Sequence, residues 1–530
     1  MKVTQIPFQK TGFFSKTMID YLEQKEAIQP FYNNFSDANG FKNQLEEKRT
    51  SFSLETRKIL VSALKNQYKN VAISEETQQN IDALLQPNTF TVTTGHQLNL
   101  FTGPLYFIYK IISTINLAEE LKEQFPADNF VPIYWMATED HDFDEINYFN
   151  FKSKKVQWKR NDGGAVGRFS TEGLKEVFEQ FSTQLGTTRN ADFLRDIFTK
   201  GYLEHNTLTE ATRYIANQLF AKYGLVIVDG DDKQLKQVFA PFITQELKEQ
   251  VSFNEVSNTV SSLGKNYKVQ VNPREINLFY LGENYRERIV FENGVYKVNN
   301  TDITFSKEEI LQEVNASPQL FSPNVIMRPL YQEVILPNLA YIGGGGELAY
   351  WLELKAYFEE VKVPFPILVL RNSVQVISTK QQRKLDNLSI STEELFLKLN
   401  DVLKKKVNEN SEIEFNFLDA KTLLEQQFLM LRRVANETDD SFVGAVNAQE
   451  KKQLNGLDNL EKRLLVAEKR RQQDLVIRIA DLKTQLFPNQ SLEERQRNFS
   501  EYYLEYGDAF IDALKSTLQP LDLKFTILEL

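Results

Sequence analysis

The chain has 530 residues, no cysteine and a formal net charge of −10. The missing cysteine excludes disulfides, thiolate zinc sites and a thiol nucleophile, and the acidic balance argues against a general nucleic-acid binder. With 42 % apolar and 25 % charged residues and this length, two or three globular domains are expected. There is no apolar run of about 18 residues to cross a membrane, the start lacks a secretion signal, and the cytoplasm is the expected location.

Residues 1–90 read as mainly helical and polar, with a break at Gln86-Pro87-Asn88. A strand follows over 90–94. Pro104 is expected to open the next helix, capped by Thr102 or Gly103, because a proline costs nothing in the first helical turn. That helix runs to about Gln124 and is apolar nearly all round at first, so it should lie against a sheet. A second strand over 130–138 completes a parallel βαβ unit. Residues 152–200 are less regular, with a turn at Asp162-Gly163-Gly164. Thr207 and Glu210 fit a capping box for a helix ending at Gly224. A short buried strand over 225–228 ends at Asp229-Gly230-Asp231-Asp232. Residues 265–305 alternate and hold Asn293-Gly294, so they read as an antiparallel insertion. Gly343 to Gly346 open a helix over 348–360, and 366–370 is a late parallel strand.

From about Ser378 glycine becomes rare and charge rises. Leu457, Leu460, Leu464 and Ala467, then Leu475, Ile479, Leu482 and Leu486, trace a heptad seam that Arg471 interrupts as a stutter. With an apolar-striped helix over 417–433 they suggest an antiparallel helical hairpin.

Two loops carry the chemistry. The first strand ends in Thr94-Gly95-His96-Gln97-Leu98-Asn99-Leu100-Phe101-Thr102-Gly103-Pro104, the second in Glu139-Asp140-His141-Asp142-Phe143-Asp144-Glu145. In a parallel α/β sheet both fall on the carboxyl edge, where such folds bind ligands. His96, Asn99 and Thr102 beside a helix N-terminus suit an anion. Five carboxylates in seven residues need compensating cations, which a substrate amine, Mg²⁺ or nearby arginines could supply. The spacing is not diagnostic of a metal site, and none is assigned. The glycine run at 343–346 could form a backbone nest for an anion.

These segments resemble the bacillithiol biosynthesis cysteine-adding enzyme family, BshC. So do Ser322-Pro323-Asn324-Val325-Ile326-Met327-Arg328-Pro329, Gln332-Glu333 with Leu336-Pro337, Gly346-Glu347-Leu348-Ala349-Tyr350-Trp351, and Phe487-Pro488 with Leu492-Glu493-Glu494-Arg495. The resemblance implies an α/β fold, a Rossmann-like parallel-sheet core with connective insertions, plus an α-helical coiled-coil domain that forms a homodimer. It implies a ligase that adds cysteine to glucosaminyl-malate as an amide in the last step of bacillithiol biosynthesis. Class I aminoacyl-tRNA synthetases, with which the family is compared, carry His-Ile-Gly-His; here the position reads His96-Gln97-Leu98-Asn99. Their second signature has only a faint counterpart, Ser378-Thr379-Lys380. ATP with Mg²⁺ is the expected co-substrate, with no tightly bound cofactor, no nucleic acid and no membrane partner.

The expected domains are a core over 1–377 with insertions at about 150–205 and 250–325, a helical hairpin over 378–490, and a segment over 491–530 packing on the core. His96, Asp140, His141 and Asp142 are the candidate catalytic residues. Asp142 is expected to take the amine proton, and His96 to stabilise the developing oxyanion or leaving phosphate. Gly95, Asn99, Thr102, Gly103, Glu139, Asp144, Arg328, Gly344, Gly345 and Glu347 are candidates for binding substrate or nucleotide, with Arg328 or Arg371 on carboxylates. The other reading is a nucleotide-binding, coiled-coil dimeric scaffold without catalysis.

Overall fold

In the computed structural model, which describes residues 1–413 and 417–530, five parallel strands form the central sheet. They are β1 (Thr89–His96), β2 (Asn129–Met136), β3 (Val226–Asp229), β4 (Asn338–Gly343) and β5 (Ile367–Leu370), in the order β5-β4-β1-β2-β3. The four strand segments expected from the sequence pair in register, for example Thr93 with Ile133 and Trp135 with Val228. The fifth, β4, was not expected. It starts after Pro337 and contains Asn338, Ala340 and Gly343, residues of low strand propensity, yet it lies beside the centre of the sheet.

What places β4 there is a buried polar network. All eight residues of β1 are buried, and four are threonines, whose buried hydroxyls need partners. Thr91 and Thr93 donate to Asn338 Oδ1 at 3.1 and 2.7 Å, and Thr94 donates to the Ile342 carbonyl at 2.7 Å. Asn338 in turn donates to Glu333 at 2.6 Å, and Glu333 faces the fully buried Lys48 at 3.4 Å. Burial pushes the Glu333 carboxyl up and the Lys48 amine down, while their mutual attraction opposes both shifts. An apolar strand could not select this neighbour; the threonines can.

Helix α1 (Tyr106–Gln124) packs on β1 and β2, as its apolar start requires. It begins two residues later than expected and is capped by neither Thr102 nor Gly103. Leu105 is its first flanking residue, and the Leu105 N–H donates to the Arg497 carbonyl at 2.7 Å. Residues 101–103 form a tight turn with φ of 48°, 69° and 62°. At Gly103 a side chain is impossible, because a Cβ would stand 2.5 Å from Asn99 Cβ. Asn498 holds this turn by donating to the Phe101 and Gly103 carbonyls at 2.8 and 2.6 Å.

Helix α2 (Lys233–Glu249) follows β3, with Asp232 as its cap. The antiparallel insertion is a five-stranded sheet reaching Phe321–Pro323, past the alternating 265–305 segment and within the 250–325 stretch set aside for an insertion. The expected helix over 348–360 is two helices, α3 (Gly345–Trp351) and α4 (Lys355–Glu360). Between them the buried Glu353 accepts the backbone N–H groups of Gln270 and Val271 at 2.7 and 3.3 Å, which anchors the strap leading into the insertion. The strand Lys2–Pro7, in a region read as helical, pairs antiparallel with Lys524–Glu529, which pairs parallel with Val374–Ile377.

The hairpin is antiparallel: Lys421 meets Asp458 and Glu461, and Arg432 meets Glu450. Its limbs are α5 (Leu418–Ala435) and α6 (Asp440–Arg471), and α7 (Gln473–Leu486) returns to the core. The expected span over 378–490 includes residues 414–416, which lie outside the described residues. The stutter is a helix break at Gln472, and Arg471 is exposed there rather than in a seam. Ile479, Leu482 and Leu486 are buried, whereas Leu460 is exposed. Among the described residues the core between the limbs is small: Phe428, Ala435 and Val446 are buried there, with Leu424 and Val443 packed against them. Leu423, Met430 and Val434 are 61, 60 and 58 % exposed, at spacings that align them on one side of α5. No helix among the described residues is long and apolar enough to cross a membrane.

Two stability measurements test this account. Removing Glu333 leaves Lys48 buried without a counter-charge, so Glu333→Ala should lose about 3–5 kcal/mol in denaturant unfolding. Lys48→Met combined with it should lose less than the sum of the two single changes. Burial raises the Glu353 carboxyl to about 7 against two opposing N–H bonds. Its folded form therefore holds a proton that the unfolded chain releases near the ordinary glutamate value, and stability falls as pH rises from about 4.5 to about 7. Glu353→Gln should flatten that part of the pH profile of unfolding.

Candidate active site

The carboxyl ends of β1, β2 and β4, the insertion and the strap before it enclose one cavity of about 570 Å³. Strand geometry brings its two motifs together. β1 and β2 pair along their whole length, so His96 lies opposite Met136 and the two loops leave the sheet side by side. Gly95, His96, Glu139, Asp140 and His141 all line the cavity, as do Arg328 and Glu347.

The other candidates do not. Asp142 and Asp144 are exposed and outside the lining, Asp142 flanking the four-residue helix Phe143–Ile146 and Asp144 within it; Asp144 accepts from Asn147 at 3.2 Å. Asn99 and Thr102 face a separate small cavity of about 10 Å³ with Tyr134 and Thr212, and Gly103 sits in the turn. Gly344 flanks α3 and Gly345 is its first residue, both outside the lining; a Cβ at Gly345 would stand 3.0 Å from Met18 Cγ. At the start of α1 the N–H groups of Leu105, Phe107 and Ile108 are bonded to the Arg497, Pro104 and Leu105 carbonyls, while Tyr106, its first residue, lines the main cavity.

His96 is buried between the rings of Tyr106 and Phe107, with centroids 5.5 and 5.0 Å away. Burial, followed by the charges of Lys110 and Arg371, holds its pKa well below the usual histidine range. A bond to the Thr102 backbone works the other way, so the ring donates it, and the acceptor is the Thr102 carbonyl. Nε2 is left without a partner. The result is a neutral imidazole with one free acceptor.

The carboxylates are compensated by the protein itself. Glu139 forms a buried ion pair with Lys236, which also donates to the Phe321 carbonyl at 2.6 Å. Burial raises the Glu139 carboxyl, with Lys236 opposing. For Asp140 burial also pushes upward, but hydrogen bonds from His141 and Gln97 outweigh it and keep the group ionised far below the usual range. Gln97 donates to Asp140 and Glu145, both at 2.8 Å. Glu347 pairs with Lys110 at 2.7 Å and accepts from Tyr341 at 3.0 Å, and Lys110 also donates to the Gly95 carbonyl at 2.6 Å.

Among the described residues Arg328 has only neutral hydrogen-bond partners, Gln332 at 3.1 Å and Tyr350 at 3.4 Å, and its guanidinium lies over the Tyr341 and Trp351 rings. Gly95 is beside it: a Cβ there would stand 3.2 Å from the Tyr341 hydroxyl and 3.7 Å from Arg328 Nη1. The absent side chain leaves backbone open to a ligand next to an unpaired cation. Arg371, proposed for carboxylates, is instead tied bidentately to Glu494 at 2.7 and 3.0 Å. Among the described residues no cluster of three His, Asp or Glu could hold a metal ion.

Sequence reasoning missed Lys110, Lys236, Arg274, Arg286 and Arg288. Lys110 was readable as a lone charge in an apolar helix, Lys236 far less so. The insertion arginines had one signal: residues 272, 274, 276 and 278, then 286 and 288, are alternate positions, and all line the cavity.

Residues 1–372 match a family described as bacillithiol biosynthesis BshC, N-terminal Rossmann-like domain, and residues 374–530 match its C-terminal coiled-coil domain. A protein of Flavobacterium psychrophilum named "Putative cysteine ligase BshC" is 55 % identical over 525 residues, covering 99 % of each chain. One of the same name from Christiangramia forsetii is 54 % identical, covering 100 % of this chain and 99 % of its own. Another, from Bacillus cytotoxicus, is 30 % identical, covering 93 and 94 %. With both of its domains matched and relatives alike along their full length, this chain belongs to the BshC family of bacillithiol biosynthesis.

Proposed function

We propose that the chain is a ligase that joins the carboxyl of cysteine to the amine of glucosaminyl-malate, forming the amide in the last step of bacillithiol biosynthesis. The observation that carries this reading is the cavity in which a neutral His96, the high-pKa carboxyl of Glu139 and the locked carboxylate of Asp140 stand together. Amide formation needs an amine that is held and then deprotonated. Asp140, ionised at any working pH, suits the holding. Glu139, which burial raises above the ordinary carboxylate range with Lys236 opposing, is the better proton acceptor of the two, because the more basic carboxylate takes a proton more readily. His96 Nε2 offers a further acceptor to the amine; a neutral ring is a weaker partner for an anion than a charged one. These roles replace the one first given to Asp142.

Activation of the cysteine carboxyl needs energy, and ATP with Mg²⁺ is the proposed co-substrate, supported by the unpaired Arg328 beside the open Gly95 backbone. The names of the relatives support the substrate assignment. A cytoplasmic location belongs to the same reading, supported by a composition without cysteine.

Amide formation from cysteine and glucosaminyl-malate, with and without ATP, in lysate lacking the endogenous enzyme is the deciding assay. Glu139→Gln should lower kcat by about 10²-fold or more, Asp140→Asn and His96→Ala should also lose turnover, and Asp142→Asn should stay close to the parent. A wild type that makes no amide even in lysate would favour the scaffold reading.

Homodimerisation through the hairpin is part of the proposal, supported by the exposed Leu423, Met430 and Val434. Light scattering should give twice the 61.5 kDa chain mass, and Leu423→Asp with Met430→Asp should halve it.

A further inference from the structure

The cavity has a charge surplus that the protein does not cancel. Glu139 has Lys236, Glu347 has Lys110, and Asp140 is satisfied by Gln97 and by its own neighbour His141. Facing them, the insertion contributes Arg274, Arg286 and Arg288. Arg286 is committed to the protein. It donates to Ser322 at 3.0 Å, to the Pro323 carbonyl at 2.9 Å and to His141 Nδ1 at 3.0 Å, and it stacks 4.0 Å above Phe279. It therefore pins the insertion to the Glu139–His141 loop.

Arg288 is two residues further along the same strand, Arg286–Glu292, and so projects from the same face. It stands directly opposite Phe279 in the ladder. Arg274 reaches the cavity from the strap anchored by Glu353. Among the described residues neither guanidinium has an ion pair or a side-chain hydrogen bond. Two free arginines over one cavity, in a chain with net charge −10, call for a ligand that brings negative charge.

We infer that Arg274 and Arg288 are specificity-determining residues that bind the two carboxylates of the acceptor's malyl end, with Arg286 as a positioning residue. The naming of that acceptor rests on the ligase reading above. The division of the cavity supports carboxylates over phosphates here. Each guanidinium forks to one carboxylate, the two come from separate segments as two separate acid groups need, and the carboxylates at the sheet edge are left for the amine at the other end of the same molecule.

The test uses the full chain, with Arg274→Gln, Arg288→Gln and the double variant. Calorimetry with L-malate, inorganic phosphate and ATP·Mg²⁺ separates the two anion chemistries. Malate affinity should fall about 10- to 100-fold per variant, the loss expected for a hydrogen bond to a charged group, while ATP affinity and melting temperature stay near the parent. In kinetics KM for glucosaminyl-malate should rise by a similar factor with little change in kcat or in KM for cysteine. Preference for glucosaminyl-malate over methyl glucosaminide should collapse in the double variant, and Arg288→Lys should restore part of it. A wild type that does not bind malate, variants with parental malate affinity, or variants that lose phosphate or ATP instead would overturn the assignment. Malate binding that depends on these arginines in a protein that makes no amide would keep the assignment and remove the ligase reading. Amide formation with parental KM in every variant would do the reverse.

Discussion

The site depends on a fork between Arg371, at the end of β5, and Glu494 of the C-terminal segment. Both side chains are almost wholly buried, and two N–H···O bonds join them. Such a pair costs desolvation, and removing one partner strands the other charge in the interior. It also fixes where the following residues go. Arg497 and Asn498, three and four positions on, hold the Leu105 N–H and the 101–103 turn. The charge of Arg371 is among the causes that keep His96 neutral. One ion pair thus governs both the geometry around His96 and its protonation.

The cavity follows a consistent electrostatic rule. Carboxylates on the sheet edge are matched by cations from behind them, Lys236 from α2 and Lys110 from α1. Of the insertion's arginines over the cavity, Arg286 is spent on the protein, and among the described residues Arg274 and Arg288 have no side-chain partner. The insertion therefore does more than cover the site. It carries the recognition charge on a separate sheet, tied to the core by Arg286 and Glu353 rather than by shared backbone pairing.

How far the residues could be read depended on range. The strands at β1, β2, β3 and β5 announce themselves by local β-branched and aromatic runs. Meeting of His96 with Asp140 follows from parallel pairing of two consecutive strands. β4 was invisible because Asn338 matters for a partner in β1, about 245 residues away, rather than for its own propensity. The start of α1 was misread because Pro104 signals a cap only if nothing else binds the turn, and Asn498 does. Asp142 looked equivalent to Asp140 within the motif; only His141 separates them, yet Asp140 lines the cavity and Asp142, the residue flanking the short helix that follows, is exposed. The family resemblance spans the whole chain, but such a likeness does not say which carboxylate of a string of five points inward.

The Asn498 bonds to Phe101 and Gly103 join residues 397 and 395 positions apart. During synthesis the Rossmann-like strands can pair long before that asparagine exists. The turn behind His96, with its three residues at positive φ, has until then only its own short-range backbone bonds, from Thr102 to Asn99 and from Gly103 to Leu100, to set against that strain. The last supports of that turn are thus the last to be synthesised, so the sheet can be complete while the loop that carries His96 still lacks its anchor.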